Sequence, residues 1–187
     1  MITHSQLVEI GYKLVLTNMH CGIAFKELVA ANKSGECADV IGFGSFRSVL
    51  IECKVSRTDF LKDARKIFRK QPELGMGSLR YYMCPTDLIS VLDLPRYWGL
   101  IYVGHNKKPR IIRHAIKQTY DTENEKAVMY SALRRLFIKG RFSDIYDGKY
   151  NKFSNSQLLK IHSAIDERRE DNTNETMGLG SVGEMAG

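Results

Sequence analysis

Three side chains in the first third of the chain have the types and spacing for metal-assisted phosphoryl chemistry: Asp39, Glu52 and Lys54. They sit in the run Cys37-Ala38-Asp39-Val40-Ile41-Gly42-Phe43-Gly44-Ser45-Phe46-Arg47-Ser48-Val49-Leu50-Ile51-Glu52-Cys53-Lys54-Val55. Two Val/Ile/Phe-rich stretches flank a glycine-containing turn, which predicts a pair of strands. Successive strand residues face opposite ways, so Glu52 and Lys54 share one face and Val49, Ile51, Cys53 and Val55 the other. A turn centred at Ser45-Phe46 puts Asp39 directly across from Glu52. Their Cβ atoms are then about 5 Å apart, a repulsive pairing of like charges. A divalent cation between the carboxylates removes the conflict, and hard oxygen ligands suit Mg²⁺, which keeps several of its waters. Lys54 could hold or polarise one such water. An acid-x-Lys triplet arises about once by chance in a chain this long, and the bland alternative is a strand with an exposed Glu/Lys pair. The weight therefore lies on context: the triplet closes an apolar strand, follows a paired strand and precedes a basic helix.

The elements needed to hold these residues are readable along the chain. Ser5 to about Met19 has Leu7, Ile10, Gly11, Leu14 and Val15 on one helical face. Cys21 to Ala30 reads as a strand with Ile23, Ala24 and Phe25 apolar and Glu27 interrupting. Asn32-Lys33-Ser34-Gly35 is turn chemistry. Ser56 caps a helix running to about Lys70, with Asp59 in capping-box position. Pro72 and Gly75-Met76-Gly77 open a connecting loop. Leu79–Cys84 and Trp98–Val103 are apolar strands, Arg110–Ile116 a basic one, and Glu123–Ile138 a helix. Residues 1–150 are expected to form one α/β domain, 151–170 a C-terminal helix, and 171–187 a disordered Gly-, Asn- and Glu-rich tail.

The whole-chain balance narrows the partners. Lys and Arg number 28 against 21 Asp and Glu, a net charge of +7, which favours a polyanion. No apolar run reaches the length of about 18 residues that a membrane span needs, and the first residues lack a signal-peptide pattern. A cytoplasmic protein is expected. Cys21, Cys37, Cys53 and Cys84 form no Cys-x-x-Cys pair and are expected to be buried free thiols. His4, His20, His105, His114 and His162 lack ligand spacing, so no zinc site is expected.

The Asp39…Glu52-Cys53-Lys54 arrangement, with its helix and strand context, resembles the PD-(D/E)XK nuclease superfamily over residues 1–104. Ala38 stands where the family name has proline. Glu52-Cys53-Lys54-Val55-Ser56-Arg57-Thr58-Asp59-Phe60-Leu61-Lys62-Asp63, Arg80-Tyr81-Tyr82-Met83-Cys84-Pro85 and Leu94-Pro95-Arg96-Tyr97-Trp98-Gly99-Leu100 are similar to the MmcB-like branch, linked to DNA repair and competence, and to related phage proteins. The resemblance implies a restriction-endonuclease-like core (αβββαβ) with a mixed central sheet and a C-terminal helical extension. It implies a Mg²⁺- or Mn²⁺-dependent nuclease acting on DNA in a bacterial or phage-infected cell. The metal ligands carried over are Asp39, Glu52 and the main-chain carbonyl of Cys53, with Lys54 orienting the nucleophile. A further acid is expected from the first helix or strand. Glu27 is ranked first because an unpaired carboxylate inside an apolar strand is costly; Glu9 and Glu36 remain alternatives.

The helix after the motif carries like charges at helical spacing, Lys62 with Lys66 and Asp59 with Asp63, which a facing polyanion would relieve. Arg57, Lys66 and Arg69 are the expected phosphate contacts there, with Arg80 on the next strand and Arg110 and Arg113 on the basic strand. Of Tyr81 and Tyr82, one is expected inside and one outside. Trp98 is expected in the core. The rival reading is a catalytically silent protein that binds nucleic acid or sequesters a partner on the same scaffold. A homodimer is compatible with either.

Overall fold

The computed structural model describes residues 2–146. Helix α1 (His4–Thr17) leads into β1 (Ile23–Lys26), β2 (Val40–Phe43) and β3 (Ser48–Cys53). Helices α2 (Arg57–Asp63) and α3 (Ile67–Lys70) carry the chain to β4 (Leu79–Pro85), then come β5 (Gly99–Val103), β6 (Pro109–Arg113) and α4 (Thr122–Ile138). The six strands form one sheet in sequence order. β1–β2, β2–β3 and β5–β6 pair antiparallel, while β3–β4 and β4–β5 pair parallel, so the sheet is mixed. The protein is thus α/β. The chain divides at Lys139, and the second unit is described only as far as the short turn Phe142–Tyr146. The expected helix 151–170 and tail 171–187 lie outside the described residues.

Alternation along β3 builds two cores. Val49, Ile51 and Cys53 pack with Leu7 and Val15 of α1 on one face. Leu50 packs with Tyr82, Leu100 and Trp98 on the other, joined by Phe60 of α2 and Val128 of α4. Thr3 starts α1 through a complete capping box with Gln6. Glu125 anchors α4: its Oε1 accepts from Ser48 Oγ at 2.6 Å and from the Gly77 N–H at 2.8 Å.

Three expectations are corrected. Tyr81 and Tyr82 are both buried, because β4 lies mid-sheet with a core on each face. Cys37 is exposed, in the loop before β2, while Cys21, Cys53 and Cys84 are buried free thiols as expected. The single helix expected from Ser56 to Lys70 is broken at Lys66, whose backbone is extended. The break has an electrostatic logic. A continuous helix would stack Lys62 on Lys66; instead Lys66 pairs with Asp63 and Arg69 turns inward. Ser56 caps α2 by accepting from the Asp59 N–H at 3.1 Å. Among the described residues no helix is long and apolar enough to cross a membrane.

Close packing at β5 gives a stability test. A Cβ at Gly99 would fall on the Tyr81 ring and 2.7 Å from the Ala115 nitrogen. At Gly104 its nearest neighbour would be Asn106 Oδ1 at 3.5 Å. Gly99→Ala is expected to lower stability by about 1–3 kcal/mol, and Gly104→Ala to stay within about 0.5 kcal/mol of the parent. Urea denaturation measures both, and equal midpoints for the two variants would contradict this packing.

Candidate active site

The ladder continues past the ends of β1 and β2 and sets the site. Val40 pairs with Ile51, so the next pair outward is Asp39 with Glu52. Lys26 pairs with Val40, so Glu27 comes next to Asp39, and the Glu27 N–H donates to the Asp39 carbonyl at 3.0 Å. Glu52 in turn pairs with Tyr82 of β4. Glu27, Asp39, Glu52 and Tyr82 therefore form one row across four strands. The turn that makes this row is centred at Ser45-Phe46, as expected.

Within the row the carboxylates belong to two groups. The outer one holds Asp39, Glu27 and His4, the first residue of α1. His4 Nε2 lies 3.4 Å from Asp39 Oδ2, and His4 Nδ1 lies 3.8 Å from Glu27 Oε1. The three offer ligand atoms within 4.8 Å of one another. Asp39 Oδ2 also accepts from the Cys53 N–H at 2.7 Å, which ties it to the end of β3. Glu27 stands just beyond the edge strand with its side chain 59% exposed, not inside an apolar strand. Its φ of 46° is in the left-handed region, a conformation that costs a residue with a side chain about 1–2 kcal/mol.

The inner group is buried and rich in ionisable side chains. Glu52 Oε2 accepts from Lys54 Nζ at 3.1 Å, and Oε1 faces Arg69 Nη2 at 2.8 Å as an ion pair without hydrogen-bond alignment. Arg69 Nε donates to Asp63 Oδ2 at 2.8 Å, and its Nη1 pairs with Glu36. The other Glu36 oxygen accepts from the Met76 N–H at 2.6 Å. Tyr82 Oη donates to Asp63 Oδ2 at 2.8 Å. Lys54 Nζ also faces Asp63 Oδ1 at 3.6 Å. Burial pushes the Glu52 carboxyl up to about 7, against the pull of Arg69, with Asp39 adding repulsion. Asp63 moves the other way: burial would raise it, but Arg69, Lys54 and Lys66 together hold it well below the usual carboxylate range. Burial works against the Lys54 ammonium, yet Glu52, Asp63 and Asp39 outweigh it and raise its pKa.

The expected ligand set is thus rearranged. Asp39 is drawn together with Glu27 and His4, whereas the Glu52 carboxylate is engaged by Lys54 and Arg69. Cys53 meets Asp39 through its N–H. Glu9 pairs with Lys26 on the helix surface at 2.6 Å, and Glu36 is a structural partner of Arg69. One imidazole and two carboxylates, all partly exposed, are a donor set that fits a divalent cation retaining water.

Two expected phosphate contacts are corrected. Arg69 is buried among three carboxylates and 4.9 Å from the Trp98 ring centroid. Arg80 is fully buried and donates to the carbonyls of Pro72, Gly75, Gly77 and Thr119. Burial drives its pKa down to about 10. Arg113 is part-buried and serves the carbonyls of Val91, Pro95 and Trp98. Arg57 is half-exposed but chelated by Asp93, and Lys66 is half-exposed while paired with Asp63 at 2.7 Å. Arg110 is exposed.

His4 and Asp63 were not legible as site residues. No local spacing links His4 to Asp39, because their meeting depends on how α1 lies over the sheet. Asp63 and Arg69 are six residues apart, a spacing that brings them together only because the helix breaks between them.

No family model and no curated protein matches the chain. Among solved structures it is similar to the SPO1766 protein of unknown function from Silicibacter pomeroyi, with a TM-score of 0.52 and 22% identity. The match covers 80% of this chain and 95% of that one, and it is a likeness of fold.

The inner group makes a pH prediction. The Glu52 value is raised from 4.5 to about 7 in the folded protein. Its contribution to stability is therefore full below pH 4.5 and is lost as pH rises through about 7. Asp63 contributes above its ordinary 3.8 and loses that contribution as pH falls through its depressed folded value. The Glu52 carboxyl carbon, followed by ¹³C NMR, is expected to titrate near pH 7. Arg69→Met is expected to move it higher and to lower stability by about 3–5 kcal/mol, since it strands buried carboxylates. Titration of Glu52 in the ordinary carboxylate range would contradict the burial and pairing described.

Proposed function

We propose that the protein is a metal-dependent nuclease of the PD-(D/E)XK type with a restriction-endonuclease-like core, hydrolysing phosphodiester bonds in DNA during repair, recombination or phage DNA processing. The observation that carries this reading is the row that puts Asp39 opposite Glu52, with Lys54 two residues on and Glu27 and His4 beside Asp39. Support also comes from the element order α1-β1-β2-β3-α2/α3-β4, which follows the αβββαβ plan, and from the net charge of +7.

Asp39, Glu27 and His4 would hold a Mg²⁺ or Mn²⁺ ion, which when bound neutralises phosphate charge and lowers the pKa of a water. The remaining work falls to the chain. The Asp39 carboxylate is oriented by the Cys53 N–H at the end of β3. Lys54 Nζ, fixed between Glu52 Oε2 and Asp63 Oδ1, is a cation held at one place, suited to orienting the nucleophile and offsetting charge on the phosphoryl oxygens. Arg69 fixes Glu52 and Asp63, and through them the ammonium. Pre-organised charge of this kind needs no rearrangement as the reaction proceeds.

One observation favours the rival reading, a nucleic-acid-binding or partner-sequestering protein on this scaffold. Lys54 and Glu52 are nearly fully buried and already satisfy each other with Asp63 and Arg69, as a purely structural ion network would. Cleavage assays separate the two. With Mn²⁺ or Mg²⁺ and a panel of single-stranded, duplex, nicked, flapped and branched DNA, the wild type is expected to cut at least one substrate. Asp39→Asn is expected to abolish cutting. Lys54→Met is expected to slow it by about 10²–10³ with little change in DNA affinity. Wild type and Lys54→Met behaving alike on every substrate would favour the binding protein.

A further inference from the structure

A second feature lies at the same end of the sheet: a cavity of about 390 Å³ where the ends of β4 and β5 meet the start of α1. Its volume is within the range of about 300–1,000 Å³ that small-molecule sites occupy. Ile2, Pro85 and Val103 give it an apolar wall. Gln6 and Thr86 add polar groups; Gln6 Oε1 accepts from the Thr3 N–H, so the amide nitrogen is the end left to donate. Lys107 on the β5–β6 turn supplies positive charge and His105 a ring nitrogen, and among the described residues no carboxylate lines the cavity. An apolar wall, hydrogen-bonding groups and a lysine without acids beside it together suit a nucleotide: a flat base, a sugar and a phosphate.

The position ties the cavity to the acidic row. Ile2 and Gln6 line it, and His4 between them lies 3.4 Å from Asp39 Oδ2, so the start of α1 is a wall common to both. On the sheet, Met83 pairs with Cys53, whose N–H holds Asp39. Pro85 is two residues further along the neighbouring strand, roughly 8 Å from Cys53 by strand rise and spacing. That is a reach of about one nucleotide along a strand.

We infer that this cavity receives one unpaired nucleotide of the DNA strand next to the phosphate held at Asp39, its base against Ile2, Pro85 and Val103 and its own phosphate on His105 and Lys107. The identity of the strand rests on the nuclease reading; the nucleotide site itself does not. A base can enter such a cavity only when unstacked and unpaired, so the favoured substrates are single strands, flaps and mispaired ends over intact duplex.

The test uses the full chain and 5′-dTMP in EDTA-containing buffer, which removes any dependence on metal or cleavage, with inorganic phosphate as the comparison probe. Gly104→Trp fills the cavity from a backbone position with room for a side chain; Lys107→Glu reverses the charge on an exposed turn. Calorimetry is expected to show dTMP bound at least tenfold more tightly than inorganic phosphate, and at least tenfold more weakly by each variant. For a single-stranded oligonucleotide, each variant is expected to raise KM about tenfold and to change kcat less than twofold. No dTMP binding by the wild type, equal binding of dTMP and phosphate, or dTMP binding unchanged by both substitutions overturns the site. A protein that binds dTMP in the cavity but cuts nothing keeps the site and loses the nuclease reading. One that cuts DNA with KM and dTMP binding unmoved by both variants keeps the nuclease reading and loses the site.

Discussion

The guanidinium of Arg69 is the constraint on which the rest of the site depends. It faces Glu36, Glu52 and Asp63, all buried, from three different parts of the chain. A buried carboxylate without a partner carries a penalty of several kcal/mol, and removing one member of a buried pair leaves that penalty exposed. One cation therefore fixes the loop before β2, the end of β3 and the end of α2 relative to each other. The helix break at Lys66 follows from the same demand, since a straight helix could not turn Arg69 onto Asp63 and Glu52 together. Trp98 and Phe68 close over the guanidinium, with ring centroids 4.9 and 4.8 Å away.

That arrangement separates charges by depth. The inner acids are balanced by Arg69, Lys54 and Lys66. Asp39, Glu27 and His4 stand outside this balance, at the mouth of the row, where a cation with its waters could be added without displacing an ion pair. The outer charge still reaches inward: Asp39 raises the pKa values of Glu52 and Lys54. Neighbouring charge and a rigid backing are the conditions under which a few side chains can act together on a phosphate.

Much of the backbone plan was legible because it rests on local rules. Alternating Val, Ile and Leu around Gly42 and Gly44 defined β2 and β3, and counting back from Ser45-Phe46 gave the Asp39–Glu52 pairing. The thiols of Cys21, Cys53 and Cys84 and the indole of Trp98 went inside as their types suggest. What stayed hidden depends on tertiary placement. Arg69 and Arg80 look like phosphate contacts in a basic chain, yet one neutralises carboxylates and the other satisfies four carbonyl groups. Nothing in their spacing separates a cation that meets solvent from one that repairs an interior. Glu27 was ranked first among the extra acids for a burial it does not have; it reaches Asp39 because β1 ends at Lys26 and the ladder carries one residue further. His4 reaches it from α1, through a helix packing that no sequence interval encodes.

The central claim is that a divalent cation belongs at Asp39 in front of the Lys54–Glu52–Arg69 network. Anomalous scattering from crystals grown with Mn²⁺ and a phosphorothioate single-stranded oligonucleotide tests it most directly. The account predicts an anomalous peak in coordinating contact with an Asp39 oxygen and with the DNA phosphate. Ordered DNA with no Mn²⁺ at Asp39, while Lys54 and Arg69 keep their pairings, would contradict it.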